Sequence, residues 1–181
     1  MDIDQKTAAS LGFPRHEYVA VERERRWLCR TVPRERVVRT EAITDLYVTG
    51  TQMRLREARP TDGGAPMLRL SRKGDVDAQT RLVTSIYLPE AEYAVLAASL
   101  AGVRIRKLRH RFKSVPGMMM MVDEFQGELA GLHLVEADFS APGLMMDFPM
   151  PDFAVREVTA DPRFTGFSLA LNGLPEGWDQ R

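Results

Sequence analysis

The chain has 181 residues, 44% of them hydrophobic and 28% charged, which suits a single domain with a sizeable core. Lys plus Arg equals Asp plus Glu at 25 each, so the global charge argues against a general polyanion binder and any anion specificity must come from local clusters. Lys6, Lys73, Lys107 and Lys113 are the only lysines, leaving 21 of the 25 basic residues as arginine, the forked side chain suited to bidentate contacts.

In chain order, residues 1–17 lack a basic segment followed by a long apolar run, so they read as a disordered leader rather than a signal peptide. Alternation of period two then predicts eight strands near 18–30, 43–49, 52–59, 67–73, 80–88, 104–112, 118–126 and 131–139. VTGTQ, TDGGAP and GELAG supply turn residues between them, so neighbouring strands are expected to be antiparallel. PEAEYAVLAASLAG (89–102) predicts a helix that opens on Pro89 and closes on Gly102. SLALNGL (168–174) predicts a second, after an irregular Pro- and Met-rich loop around 141–153. Residues 176–181 form a tail. No stretch reaches the ~18 consecutive apolar residues of a membrane helix. The lone Cys29 excludes an intrachain disulfide and fits a reducing cytoplasm.

Several strands carry charge at alternate positions. In VERERRWL, Glu22, Glu24 and Arg26 fall on one face of a strand. Arg54 and Arg56 share a face, as do Arg69, Ser71 and Lys73, then Lys107, Arg109 and Arg111, then Glu136 and Asp138. The opposite parity is often apolar: Met53 and Leu55, Leu68 and Leu70, Val135 and Ala137. Two geometries are compatible with this: charges outside an ordinary barrel, or charges inside one whose apolar outer face is covered. For any single strand, periodicity favours the solvated face. The joint pattern shifts the balance. Acidic pairs at both ends of the strand series and basic pairs between them would, across a closed barrel, bind divalent cations and a polyphosphate together.

The ordered set resembles the CYTH domain, or triphosphate tunnel metalloenzyme, superfamily, over residues 18–173. ERERRWL is similar to its ExExK signature, ITDLYVTGTQMRLRE to its second and third strands, LRLSRKG to its lysine-bearing strand and IRKLRHRF to its KxR strand. MVDEFQGELAGLHLVEADF resembles its VDxF hairpin and final acidic pair. The resemblance implies a mainly β, α+β fold, a closed eight-stranded antiparallel tunnel with flanking helices spanning 18–175, its charged parity inward. It implies metal on Glu22, Glu24, Glu136 and Asp138, phosphate on Arg54, Arg56, Lys73, Arg81, Lys107 and Arg109, and a catalytic set of Glu22, Glu24 and Arg26. Arg72 replaces Lys73 if the register slips by one residue. The implied activity is a Mg²⁺- or Mn²⁺-dependent triphosphatase, with a non-hydrolytic triphosphate or polyphosphate binder and an adenylate cyclase as alternatives. The expected partner is a triphosphate-containing small molecule, with no nucleic acid and no membrane, in the cytoplasm; a homodimer stays open.

Three departures bear on activity. Arg26 stands where the signature has lysine and cannot accept a proton near neutral pH. Val83 and Ser85 follow Arg81 where the resemblance implies another acidic pair, and Asp138 shortens the last pair by a methylene. Asp123, at the VDxF position, would bind metal or brace a basic neighbour. His16, His110 and His133 have no metal-ligand spacing, neither GxSxG nor a Walker loop is present, and MMMM (118–121) reads as packing.

Overall fold

In a computed structural model, which describes residues 3–179, nine strands form one sheet: β1 (Ala20–Cys29), β2 (Val37–Val48), β3 (Met53–Pro60), β4 (Met67–Asp75), β5 (Thr80–Tyr87), β6 (Gly102–Phe112), β7 (Met118–Phe125), β8 (His133–Phe139) and β9 (Ala154–Glu157). The order is β5-β4-β3-β2-β6-β7-β8-β1-β9, and β1 also pairs with β5. That pairing closes β1–β8 into an antiparallel barrel, which removes the open edges those strands would otherwise present. Strand β1 divides its length among three partners: Ala20–Arg23 pair with β5, Glu24–Leu28 with β8, and Trp27–Cys29 with β9. All eight expected strands are present. β2 starts six residues before its expected limit, and β9 is a four-residue addition that no alternation announced.

The apolar parity lies outside and is covered. Trp27, Val122, Val135, Ala137 and Phe139 are buried in one cluster with Met145, against which Phe148 and Phe153 pack. The Pro- and Met-rich segment therefore covers β1, β7 and β8, and it contains a short helix, α3 (Pro142–Met146). At one barrel end Leu28, Tyr47, Ile105, Phe125 and Leu134 join Phe164 and Leu169 in a second cluster, so the C-terminal helix α4 (Gly166–Asn172) packs over that end. Contact is close enough to require glycine: a Cβ at Gly166 would stand 2.0 Å from the Tyr47 hydroxyl.

The N-terminal segment differs from the disordered leader expected. Gln5–Ser10 form helix α1, capped by Asp4, whose carboxylate accepts from the Thr7 amide. Ala8 and Phe13 are buried against Leu82, an outward residue of β5. Residues 1 and 2 of the expected leader, and 180 and 181 of the expected tail, lie outside the described residues. Helix α2 (Glu90–Ser99) buries no residue. Among the described residues, no helix is long and apolar enough to cross a membrane.

Candidate functional site

Register puts the charged parity of the barrel strands in the lumen. Across β1–β8, Glu24 faces Asp138 and Arg26 faces Glu136; across β1–β5, Glu22 faces Arg81. On the other wall Arg56 faces Arg69 across β3–β4. The hollow has two lobes. One, about 350 Å³, lies beneath α4 and includes Glu24, Arg54, Lys73, Lys107 and Glu136. The other, about 530 Å³, reaches the far end past Arg111 and Met118. They meet at a waist, since Glu22, Arg56, Arg69, Arg109 and Asp138 line both.

Part of this charge is internally neutralised. Asp45, fully buried on β2, accepts two hydrogen bonds of 2.6 Å from the Arg56 guanidinium. Asp123, equally buried, accepts from Arg109 at 2.6 and 2.7 Å and from the Lys107 ammonium. Burial pushes the Asp45 carboxyl up, but Arg54 and Arg56 outweigh it and hold it far below the usual range. Arg81 bridges Glu24 and Asp75 at 2.7 Å each, and Lys73 pairs with Glu22. Burial raises the Glu22 carboxyl, and Lys73, Arg54 and Arg69 together pull it below its ordinary value.

Other charges are left open. The Nε atoms of Arg54 and Arg69 are buried without a hydrogen-bond partner; the nearest carboxylate oxygen to that of Arg54 belongs to Asp45, at 3.5 Å, and is already engaged by Arg56. Burial lowers the Arg69 pKa, and the neighbouring guanidiniums of Arg56 and Arg54 lower it further. On the opposite wall Asp138 forms no ion pair among the described residues, the nearby cations being taken by Glu24 and Glu136. Burial, then Glu136 and Glu24, push its pKa up to about 7. Buried polar groups are normally satisfied, so a cationic wall short of acceptors facing an unpaired carboxylate marks a site built for a ligand that carries both signs: an anion accompanied by a cation.

The positions expected from the sequence converge with few exceptions. Glu22, Glu24, Arg54, Arg56, Lys73, Arg81, Lys107, Arg109, Glu136 and Asp138 all line the hollow. The register choice resolves to Lys73: Arg72 points outward, donating to the Leu11 carbonyl and lying over the Phe13 ring. Asp123 braces Lys107 and Arg109. Arg26 also faces inward, but its guanidinium donates to the Phe164 and Thr159 carbonyls, tying the segment before α4 to the barrel wall. Ser85 hydrogen-bonds Ser71 at 2.7 Å, and Val83 faces Lys73, so this strand adds no carboxylate beyond its arginine. One lumen residue escapes the sequence pattern: Asp45 is flanked at alternate positions by Ile43 and Tyr47 and forms no acidic pair. Arg69 lies on the face shared with Ser71 and Lys73, within LRLSRKG, but the sequence assigns no role to it.

Outside the barrel, His110 is held by Thr40 at 3.0 Å and Glu124 at 2.9 Å. Burial pushes the Cys29 thiol up to about 12, which makes it unreactive packing. The His16 side chain lies outside the described residues.

The residues present fit a hard divalent cation. Asp138 and Glu24 face each other across β1–β8, and the mutual repulsion that raises Asp138 is what a cation would relieve. No group of three His, Cys, Asp or Glu among the described residues is placed to enclose a metal by itself. Mg²⁺ commonly takes only one or two carboxylates, with substrate phosphate completing its shell.

No family model matches the chain. It is 27% identical over 155 residues to an inorganic triphosphatase of Nitrosomonas europaea, covering 83% of this chain and 97% of that protein. Over 68 residues it is 43% identical to an inorganic triphosphatase of Acetivibrio thermocellus, covering 38% of this chain and 42% of the relative. Among solved structures, it is similar to the inorganic triphosphatase NE1496, with a TM-score of 0.57, 26% identity and coverage of 85% and 96%. The PH1819 protein of Pyrococcus horikoshii shares the fold, with a TM-score of 0.53, 19% identity and coverage of 70% and 82%.

Proposed function

We propose that the chain is a member of the CYTH, or triphosphate tunnel metalloenzyme, superfamily and a triphosphatase that releases the terminal phosphate of a linear triphosphate inside the barrel. The observation that carries this reading is the pair of guanidiniums short of acceptors, Arg54 and Arg69, on the wall opposite the unpaired Asp138. Its relatives named inorganic triphosphatase make inorganic tripolyphosphate the first substrate to test.

Phosphoryl transfer asks a protein mainly to position the reacting groups and neutralise charge. Arg54, Arg69 and Lys73 bind the phosphate chain from β3 and β4. Arg56, Lys107 and Arg109 complete the cationic surround, with Asp45 and Asp123 fixing their orientation. Glu24 and Asp138 would hold a Mg²⁺ or Mn²⁺ ion, with Glu22 and Glu136 beside them. A bound ion supplies Lewis acidity toward the terminal phosphoryl group and activates water. Arg26 anchors the segment that leads into α4 and so keeps one lobe covered. Water supplies the oxygen that bonds to the terminal phosphorus as the bridging P–O bond breaks, yielding orthophosphate and pyrophosphate.

Incubation of purified protein with tripolyphosphate, thiamine triphosphate and ATP, each with Mg²⁺ or Mn²⁺, tests the proposal. Metal-dependent phosphate release from tripolyphosphate is expected. A ligand-induced thermal shift without phosphate release would instead support a binding module, the reading that Val83 and the Ser71–Ser85 hydrogen bond favour. Cyclic AMP formed from ATP would support a cyclase.

A further inference from the structure

Helix α1 and the residues that follow it lie outside the barrel, and none of residues 3–13 lines either lobe of the lumen. The sequence AASLGF (8–13) nonetheless builds a fixed corner there. Gly12 adopts φ +81°, its amide donates to the Ala9 carbonyl, and the Phe13 amide donates to the Ala8 carbonyl, both at 2.9 Å. In this glycine-dependent helix ending the residue after the glycine folds back on the last turn. It delivers the Phe13 ring to the outer face of the β4–β5 hairpin.

The ring reaches the backbone on both sides of Lys73. On one side the Arg72 guanidinium donates to the Leu11 carbonyl at 2.9 Å and lies 4.7 Å from the centre of the Phe13 ring. On the other, Gly74 meets that ring so closely that a Cβ there would stand 2.7 Å from its Cε2 atom. Opposite Gly74 on β5 is Leu82, which is buried with Ala8 and Phe13 and follows Arg81 in the sequence. Successive strand residues point to opposite faces, so a clamp on Arg72, Gly74 and Leu82 outside fixes the backbone that carries Lys73 and Arg81 inside. Those two cations meet Glu22 and Glu24 in the lumen. Lysine depends on such support more than arginine does: its ammonium is a point charge on a flexible four-carbon stem, with no fork to set its direction. The single ion-pair partner of Lys73 among the described residues is Glu22.

We propose that Phe13 and Arg72, anchored by the Leu11 carbonyl, are positioning residues that act from outside the barrel to hold the Lys73 ammonium at the point in the lumen where it meets phosphate. The contact with phosphate rests on the triphosphatase reading above; the placement of the ammonium does not. The N-terminal segment is then a working part of the site, although none of its atoms reaches the substrate.

Two measurements test this, the first without ligand. The chain has four lysines, so heteronuclear NMR of the lysine side chains gives a simple spectrum. In Arg72→Met, and in the milder Phe13→Leu, the Lys73 signal should move toward that of the exposed Lys113, while Lys107, held by Asp123, stays in place. An unmoved Lys73 signal in the folded variants, or an equal displacement of Lys73 and Lys107, would overturn the proposal whatever the protein binds. The second measurement is isothermal titration of tripolyphosphate into wild type, Arg72→Met, Lys73→Met and the double variant. A residue that acts through another loses its effect once that other is gone. Arg72→Met should therefore weaken binding about 5-fold when Lys73 is present and less than about 2-fold in the Lys73→Met background, and Arg72→Lys, which keeps a cation and a donor, should recover most of the loss. An equal loss in both backgrounds would reduce the clamp to a structural contact and overturn its positioning role. Absence of tripolyphosphate binding by wild type, with Lys73 displaced in the variants, would overturn the triphosphatase reading and leave the placement of the ammonium supported.

Discussion

The lumen is built from one set of residue types held in two electrostatic states. Around β2, β6 and β7 the charges are closed into pairs, Asp45 with Arg56 and Asp123 with Lys107 and Arg109. Along β3–β4 and β1–β8 they are open, with Arg54 and Arg69 short of hydrogen-bond acceptors and Asp138 short of a cation. Closed pairs satisfy one another and hold the wall in shape, whereas Arg69 and Asp138, each pushed toward its neutral form, store an unfavourable energy that a ligand can release. The difference predicts that loss of a closed-pair carboxylate damages the fold and that loss of an open charge damages binding.

The largest effect should come from breaking a closed group. Asp123→Ala leaves Lys107 and Arg109 buried beside each other without their shared carboxylate, and should cost roughly 3–5 kcal/mol of stability, measured by urea unfolding. A loss below about 1 kcal/mol, the size of an exposed pair, would mean that Glu136 alone suffices for Arg109.

Neutralising an open carboxyl should have a smaller effect of opposite sign. Asp138 has its pKa raised to about 7 from an ordinary 3.8, so between those values the unfolded chain has lost this proton while the folded protein retains it. Stability therefore falls as pH rises through about 4 to 7, and the penalty is fully present above 7. Asp138→Asn removes it. Without divalent metal, the variant should gain about 1–3 kcal/mol at pH 8 and little near pH 4. A difference that does not change with pH would show that Asp138 titrates normally.

The strands were legible because alternation is local, and each expected strand overlaps one in the barrel. Which parity faces inward was not legible from periodicity. The outer face of Trp27, Val122 and Val135 is covered by Met145, Phe148 and Phe153 from a separate segment, and nothing within a strand records that cover. The resemblance supplied the inward direction, and the register agrees with it. Helix α1 and strand β9 were missed because each is short and relies on partners distant in sequence: Leu82 for the first, Trp27 to Cys29 for the second. Asp45 was invisible for a related reason. A single carboxylate between Ile43 and Tyr47 forms no repeated pattern, and its role depends on Arg56 of the next strand.

If the lumen arginines that lack acceptors are the triphosphate-binding surface, titration of tripolyphosphate into wild type and Arg54→Ala shows it most directly. Asp45 keeps both of its hydrogen bonds to Arg56 when Arg54 is removed, so the loss of Arg54 should leave the barrel folded. The expected result is one binding site per chain and an affinity at least about 10-fold weaker in the variant, in line with ~1.5–3 kcal/mol for a hydrogen bond to a charged group. Equal affinity in wild type and a folded Arg54→Ala protein would contradict it.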